Sequence, residues 1–271
     1  DTRLKTLHEI NGATADLASA LYRCPEHTEA AEHIYSLLTS VSQIDVLIEI
    51  MSRAADMVKD IECKAKYWRM VAKLRSEDKN DVLGAINALK RMLKSQPSHV
   101  PTMLYLADLY KQNRQWEEAY KTLESAAKQK PTKKILADIY MEASRIAASH
   151  LNNLASASSN IELLIQLEPA NVEALTMQCN IQLRLGNLDA AANAADRLLK
   201  NANSPQSKAD ALFCTAVIKF KKNAKKSAAK AFRDAIALAG PNRADLEDYR
   251  SMLGNEEPWE EYLNALMEFQ K

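Results

Sequence analysis

The sequence predicts an all-α protein built from antiparallel helix hairpins in series. Three observations carry this. First, only 5 of the 271 residues are Gly, and Ala, Leu, Lys and Glu dominate, which is the composition of a helical chain rather than of alternating strands. Second, small residues recur at a fixed period: Ala85 and Ala119 stand 34 apart, as do Ala157 and Ala191, and Pro97 and Pro131. Third, turn-forming residues fall between the periodic stretches. Asn80, Asn113, Asn153, Gly186 with Asn187, and Asn223 occupy the breaks, where the left-handed backbone after a helix end suits Gly and Asn.

The elements follow in order. Residues 3–22, 28–40 and 43–59 read as helices, with Leu47, Ile50, Met51 and Ala54 at helical spacing. They lack the full repeat pattern and are read as degenerate repeats or an N-terminal cap spanning 1–60. From 61 to 240 about five hairpins are expected. In three of them a small residue lies twelve before the period anchor: Ala107 before Ala119, Cys179 before Ala191, Ala216 before Ala228. Two small residues at this separation let the backbones of consecutive helices approach closely. Ala72 stands thirteen before Ala85, which implies one extra residue in that turn. The 132–169 stretch is looser. Its first helix reads about one turn too long, with Ser144 or Ala143 in the small position. Pro97, Pro131 and Pro169 close units, because proline disfavours helix in the residue before it. Residues 243–253 and 257–270, within a C-terminal segment 241–271, read as two capping helices.

These residues resemble the tetratricopeptide repeat family. Val100 to Pro131 carries the pattern most fully, with Ala107, Tyr110, Trp116, Ala119, Ala126 and Pro131 at the family's positions. Leu175, Cys179, Gly186, Leu188 and Ala191 match it again, as do Leu212, Ala216, Ala228, Phe232 and Ala235, and Trp68, Ala72, Ala85 and Pro97. The resemblance covers about 61–240 and implies a right-handed superhelical solenoid with helical caps. It also implies a groove lined by the first helix of each unit. Mapped by register, that groove takes Arg69, Lys73, Leu104, Asp108, Lys111, Thr176, Asn180, Phe213, Val217 and Phe220. A carboxylate clamp of Lys, Asn and Arg, known in some members, is broken here: Tyr105 stands where that clamp wants Asn. Phe213, Val217 and Phe220 form an apolar stripe, either covered by the closing helices or open to a partner's amphipathic helix.

The implied function is binding without catalysis: a scaffold or adaptor that holds a peptide or partner helix within a larger assembly. An RNA-binding helical-repeat protein and a non-catalytic regulatory region of a larger enzyme are the alternatives. The groove positions do not repeat the polar pairs that base-reading repeats use, so nucleic acid is disfavoured. No catalytic residue, metal ligand or cofactor is expected. Glu29 and His33 share a helix face but lack a third ligand, and His99 and His150 lie near helix ends, where capping or exposure accounts for them. Five Gly cannot build a phosphate loop, and no apolar run reaches membrane length. Four scattered cysteines without a CxxC pair fit simple burial, or a reducing compartment such as the cytoplasm, better than a disulfide framework.

Charge is segregated although the net value is +1. Residues 1–60 hold 10 acidic and 5 basic side chains, 64–94 hold 3 and 9, and 234–271 hold 9 and 3. Lys221, Lys222, Lys225, Lys226 and Lys230 crowd one turn, read as a solvated turn with acidic protein, lipid head groups or nucleic acid as its possible partners. Glu117 and Glu118 beside Trp116 are read as the outward side of a repeat helix.

Overall fold

The computed structural model describes the backbone of residues 2–239 and the side chains of 12–238. The closing helices expected at 243–253 and 257–270 lie outside the described residues. Every described element is helical, in the order α1 (Thr2–Arg23), α2 (Thr28–Ser40), α3 (Ile44–Met57), α4 (Ile61–Lys73), a π-helical turn (Leu74–Asp78), α5 (Val82–Ser95), α6 (Val100–Gln112), α7 (Trp116–Lys128), α8 (Lys133–Ser149), α9 (Leu154–Leu167), α10 (Val172–Leu185), α11 (Leu188–Asn201), α12 (Pro205–Lys221) and α13 (Lys225–Ala239). The chain forms two compact units, 1–131 and 132–271. The first holds α1–α7 and the second, as far as described, α8–α13.

The expected anchors are all buried: Ala72 and Ala85, Ala107 and Ala119, Ala157, Cys179 and Ala191, Ala216 and Ala228. In the loose repeat both Ala143 and Ser144 are buried, and Ser144 is the anchor. Its hydroxyl donates to the Ala157 carbonyl at 3.1 Å, as the Cys179 thiol reaches the Ala191 carbonyl at 3.6 Å. Only a small side chain leaves the facing backbone near enough for that bond. The long first helix is also as expected: α8 has 17 residues where α6 has 13, one turn more.

The turns show how the repeat absorbs an extra residue. In four hairpins a backbone bond closes the turn across five residues: Gln43 N–H to Leu38 O, Gln115 to Tyr110, Asn187 to Gln182 and Ala224 to Lys219. This is the bond expected after a helix whose terminal residue turns left-handed. In the other two the bond spans six, from Asp81 N–H to Arg75 O at 2.6 Å and from Asn153 to Ala147 at 2.8 Å. Those two hairpins carry anchors thirteen apart, Ala72 with Ala85 and Ser144 with Ala157. In the first, the surplus residue widens the end of α4 into the π-helical turn, where Lys79 N–H bonds Leu74 O at 3.1 Å.

The left-handed positions are Ser42, Asn80, Arg114, Asn152, Gly186 and Asn223, with Lys130 between α7 and α8. Asn113 and Asn153 are therefore corrected. Asn113 keeps φ at −86° as the C-cap of α6, and Asn153 caps α9 by accepting the Ser156 amide. Turn closure, rather than residue type, decides which residue turns, so Arg114 accepts φ 55° despite its Cβ.

Asp81 ties the widened turn together. Its carboxylate accepts the Gly84 amide at 2.8 Å and an Arg75 Nη1–H at 2.8 Å. A Cβ on Gly84 would overlap that carboxylate. Glycine elsewhere in a helix is a liability of ~0.5–1 kcal/mol relative to Ala. Here Gly84→Ala is expected to destabilise by a few tenths of a kcal/mol, because the lost cap of ~1 kcal/mol and the displaced Arg75 contact outweigh the gained propensity. Chemical denaturation of the two proteins checks the sign.

The Gly84 amide, then Arg75, also holds the Asp81 carboxyl below its ordinary value of 3.8. A depressed folded value means that the unfolded chain binds the proton first. The contribution is complete above the ordinary value and disappears as pH falls through the folded one. Denaturation midpoints should therefore fall below pH 3.8 more steeply in the parent chain than in Asp81→Asn, with the two curves converging at lower pH.

Ion pairs in the first unit recur at one repeat. Lys66 meets Glu32 at 2.7 Å, Lys79 meets Asp45 at 2.8 Å and Arg91 meets Asp56 at 3.0 Å, each joining residues 34 or 35 apart. Arg91 also lies over the Trp68 ring, 4.6 Å from its centroid. These contacts join the α2–α3 hairpin to α4, α5 and the turn between them. Being exposed and screened by solvent, they fix register more than stability.

Candidate functional site

Three of the expected groove residues in the first unit are engaged. Asp108 and Lys111 pair with each other at 2.8 Å along α6, with Lys111 the more buried of the two. Lys73, at the last position of α4, leans toward Glu77 of the π-helical turn at 3.8 Å. Leu104 is half-buried. Its neighbour Tyr105 sets its hydroxyl 3.4 Å from Ser76, so the π-helical turn touches α6 directly. Sequence reasoning did not foresee that contact, because the widened turn is what carries Ser76 to Tyr105.

Arg69 differs from all of these. It is half-buried on α4, one turn before Lys73, and among the described residues it makes no hydrogen bond and no ion pair. A guanidinium presents five donors in a planar fork suited to a carboxylate. Its neighbours Lys66 and Lys73 already have acidic partners.

In the second unit the expected stripe is partly core. Phe213 is 2% exposed and Val217 0%. Both pack among Cys179, Leu183, Ala195 and Ile236, and the Phe213 ring meets Phe232 edge-on, with centroids 5.2 Å apart and planes at 77°. Phe220, one turn beyond Val217, is only half-buried. Thr176 spends its hydroxyl on the Val172 carbonyl at 3.0 Å, and Asn180 accepts from the Cys214 thiol at 3.7 Å. The half-buried Thr176, Asn180 and Phe220 are what this unit offers of the expected row.

The remaining candidates take structural places. His99 is buried as the N-cap of α6: Nδ1 accepts the Thr102 amide at 3.2 Å and lies 2.8 Å from the Thr102 hydroxyl. His150 is the exposed C-cap of α8. Glu117 pairs with Lys121 along α7 and Glu118 is exposed, so the two acids beside Trp116 face solvent. Among the described residues no three His, Cys, Asp or Glu side chains converge as metal ligands. No described helix is long and apolar enough to cross a membrane.

Serial hairpins with buried small anchors define a helical-repeat protein, a fold used for protein interaction rather than for chemistry. Family models described as tetratricopeptide repeat match residues 78–141 and 176–243, and the chain is a tetratricopeptide-repeat protein. Among solved structures it is similar to the C-terminal part of a TPR repeat-containing protein from Cytophaga hutchinsonii, with 13% identity, 85% of this chain and 97% of that chain covered, and a TM-score of 0.59. It is also similar to YrrB, described as a TPR protein with an unusual peptide-binding site, at 17% identity, 68% and 91% coverage and a TM-score of 0.55. PilF of Pseudomonas aeruginosa aligns at 10% identity, 88% and 98% coverage and a TM-score of 0.51. Likeness at these identities concerns the fold. No curated protein matches the sequence.

Proposed function

We propose that the first unit binds a peptide segment of a protein partner along Arg69, Lys73, Leu104, Asp108 and Lys111, as an adaptor within a larger assembly. Thr176, Asn180 and Phe220 of the second unit form a further contact row in this reading. The observation that supports it most is the unpaired Arg69. A half-buried guanidinium left without an anion is suited to a partner's carboxylate, while Leu104 beside Tyr105 offers an apolar seat for the next side chain. YrrB, of the same fold, is described as having a peptide-binding site, which agrees with this use of the repeats.

The test is capture of partner peptides by the intact chain, followed by titration of a captured peptide against the parent protein, Arg69→Ala and Arg69→Lys. Loss of a charged hydrogen bond, ~1.5–3 kcal/mol, should weaken binding by at least tenfold in Arg69→Ala. Arg69→Lys should recover only part of it, because an ammonium cannot reproduce the fork. Equal affinity of all three proteins would contradict the reading.

A further inference from the structure

His99 caps α6 with a side chain that the other capped helices do not use. Among the described residues, the N-cap side chain accepts the amide three residues on at Asp60, Asp81, His99, Asn153, Asn171 and Ser204. Only the imidazole of this set belongs to a residue type that ordinarily changes charge between about pH 5 and 8. The Cys63 amide holds the Asp60 carboxyl below its ordinary value of 3.8, and the Gly84 amide does the same for Asp81, so both caps stay ionised across that range. Two hairpins further along, the same place in the repeat holds Asn171. Each of the two caps lies eight residues before its buried anchor, Ala107 or Cys179. Each accepts one amide, that of Thr102 at 3.2 Å or that of Ala174 at 2.9 Å. Asparagine fills this place without titrating, so the register does not require a histidine.

The geometry ties this cap to one protonation state. The ring is 6% exposed, with Nδ1 on the Thr102 amide and 2.8 Å from the Thr102 hydroxyl. Nδ1 therefore offers its lone pair, and the proton of the neutral ring sits on Nε2, 3.6 Å from Glu62 Oε1 of α4. A second proton goes to Nδ1. That nitrogen then only donates, and it faces an amide that also only donates. The positive ring stands at the positive end of the α6 dipole as well. What it gains is attraction to Glu62, which is exposed and screened by solvent. Among the described residues no other carboxylate contacts the ring. α5 has none, Asp108 of α6 pairs with Lys111, Glu117 of α7 pairs with Lys121, and Glu118 and Glu124 are exposed. Of the cations, Lys66 of α4 is paired with Glu32, while Lys94 and Lys128, in the last turns of α5 and α7, are exposed.

We propose that His99 is a pH-sensitive clasp on the first turn of α6: neutral, it closes the turn, and protonated, it releases the Thr102 amide while Glu62 of α4 holds the charged ring. The Thr102 amide also reaches the His99 carbonyl at 3.1 Å, so the turn loosens rather than unwinds. Thr102 and Met103 are buried in that turn, and Leu104 follows them directly. Loosening thus reaches the apolar seat of the Arg69 row. That consequence rests on the function proposed above, whereas the clasp itself does not.

The experiment follows the melting temperature of the intact chain from about pH 8 to about pH 5 for the parent, His99→Asn and His99→Ala. The other histidines are common to all three proteins, so the differences between them isolate position 99. The parent should melt above His99→Ala at the upper pH and approach it at the lower, the gap narrowing by about 2 °C, the change expected for a lost cap. The gap between His99→Asn and His99→Ala should stay constant, because neither residue titrates. Amide exchange, corrected for its intrinsic pH dependence, should show the first turn of α6 losing protection at the lower pH in the parent and keeping it in His99→Asn. Should His99→Ala fail to fold, the parent against His99→Asn decides by itself. A difference between those two that does not change with pH overturns the proposal, and so does first-turn protection in the parent that is the same at both ends of the series. No partner enters the series, so failure of the peptide reading leaves its outcome untouched.

Discussion

Phe213→Asp is expected to unfold the α12–α13 hairpin rather than to alter a binding surface. The ring is 2% exposed among Cys179, Leu183, Ala195 and Ile236, and edge-on to Phe232. Emptying such a site costs about 3–5 kcal/mol as Phe213→Ala. A carboxylate in the same place adds the cost of a buried, unpartnered charge. Folded domains have only ~5–15 kcal/mol to lose. Circular dichroism and limited proteolysis should show the second unit destabilised in both variants, with Phe213→Asp the worse. Phe220→Asp, half-buried on the same helix, should leave the helical signal near that of the parent chain.

The second large effect belongs to the first unit. Tyr67 is fully buried on α4, and its hydroxyl donates to the Pro25 carbonyl at 2.7 Å. One side chain thus fills the core and ties the α1–α2 connection to α4. Tyr67→Ala should cost about 3–5 kcal/mol, and Tyr67→Phe only about 1 kcal/mol, the worth of the hydrogen bond. Burial, with smaller contributions from Cys63 and Cys24, pushes the phenol up to about 12 from 10.0. Because the folded value is raised, the stabilisation is complete below pH 10.0 and is lost as pH rises toward 12. Tyrosinate absorbance should show a late-titrating tyrosine in the parent that is absent from Tyr67→Phe.

Much of the fold was legible because it rests on spacing. The anchors Ala107 with Ala119 and Cys179 with Ala191 mark where two helices must touch, and any larger residue there would be costly. The thirteen-residue spacing of Ala72 and Ala85 located an insertion, and the π-helical turn realises it. The spacing did not say whether the surplus would widen the helix or lengthen the loop, since both satisfy the same anchors. Glycine and asparagine content located the turns but not the left-handed residue within each, as Arg114 and Asn152 show.

The site was less legible. Register assigns Phe213 and Val217 to the same helix face as Phe220, yet burial separates them. Register describes one helix, whereas burial depends on every element packed against it. Opposite charges at 34-residue spacing, such as Asp45 with Lys79, were a readable signal in the sequence that the hydrophobic pattern obscured.

Hydrogen exchange of the intact chain, with and without a captured partner peptide, tests the central claim most directly. The account predicts slowed exchange in α4, the π-helical turn and α6, with the effect lost in Arg69→Ala. Protection confined to α5 and α7, or the same protection in Arg69→Ala as in the parent, would contradict it.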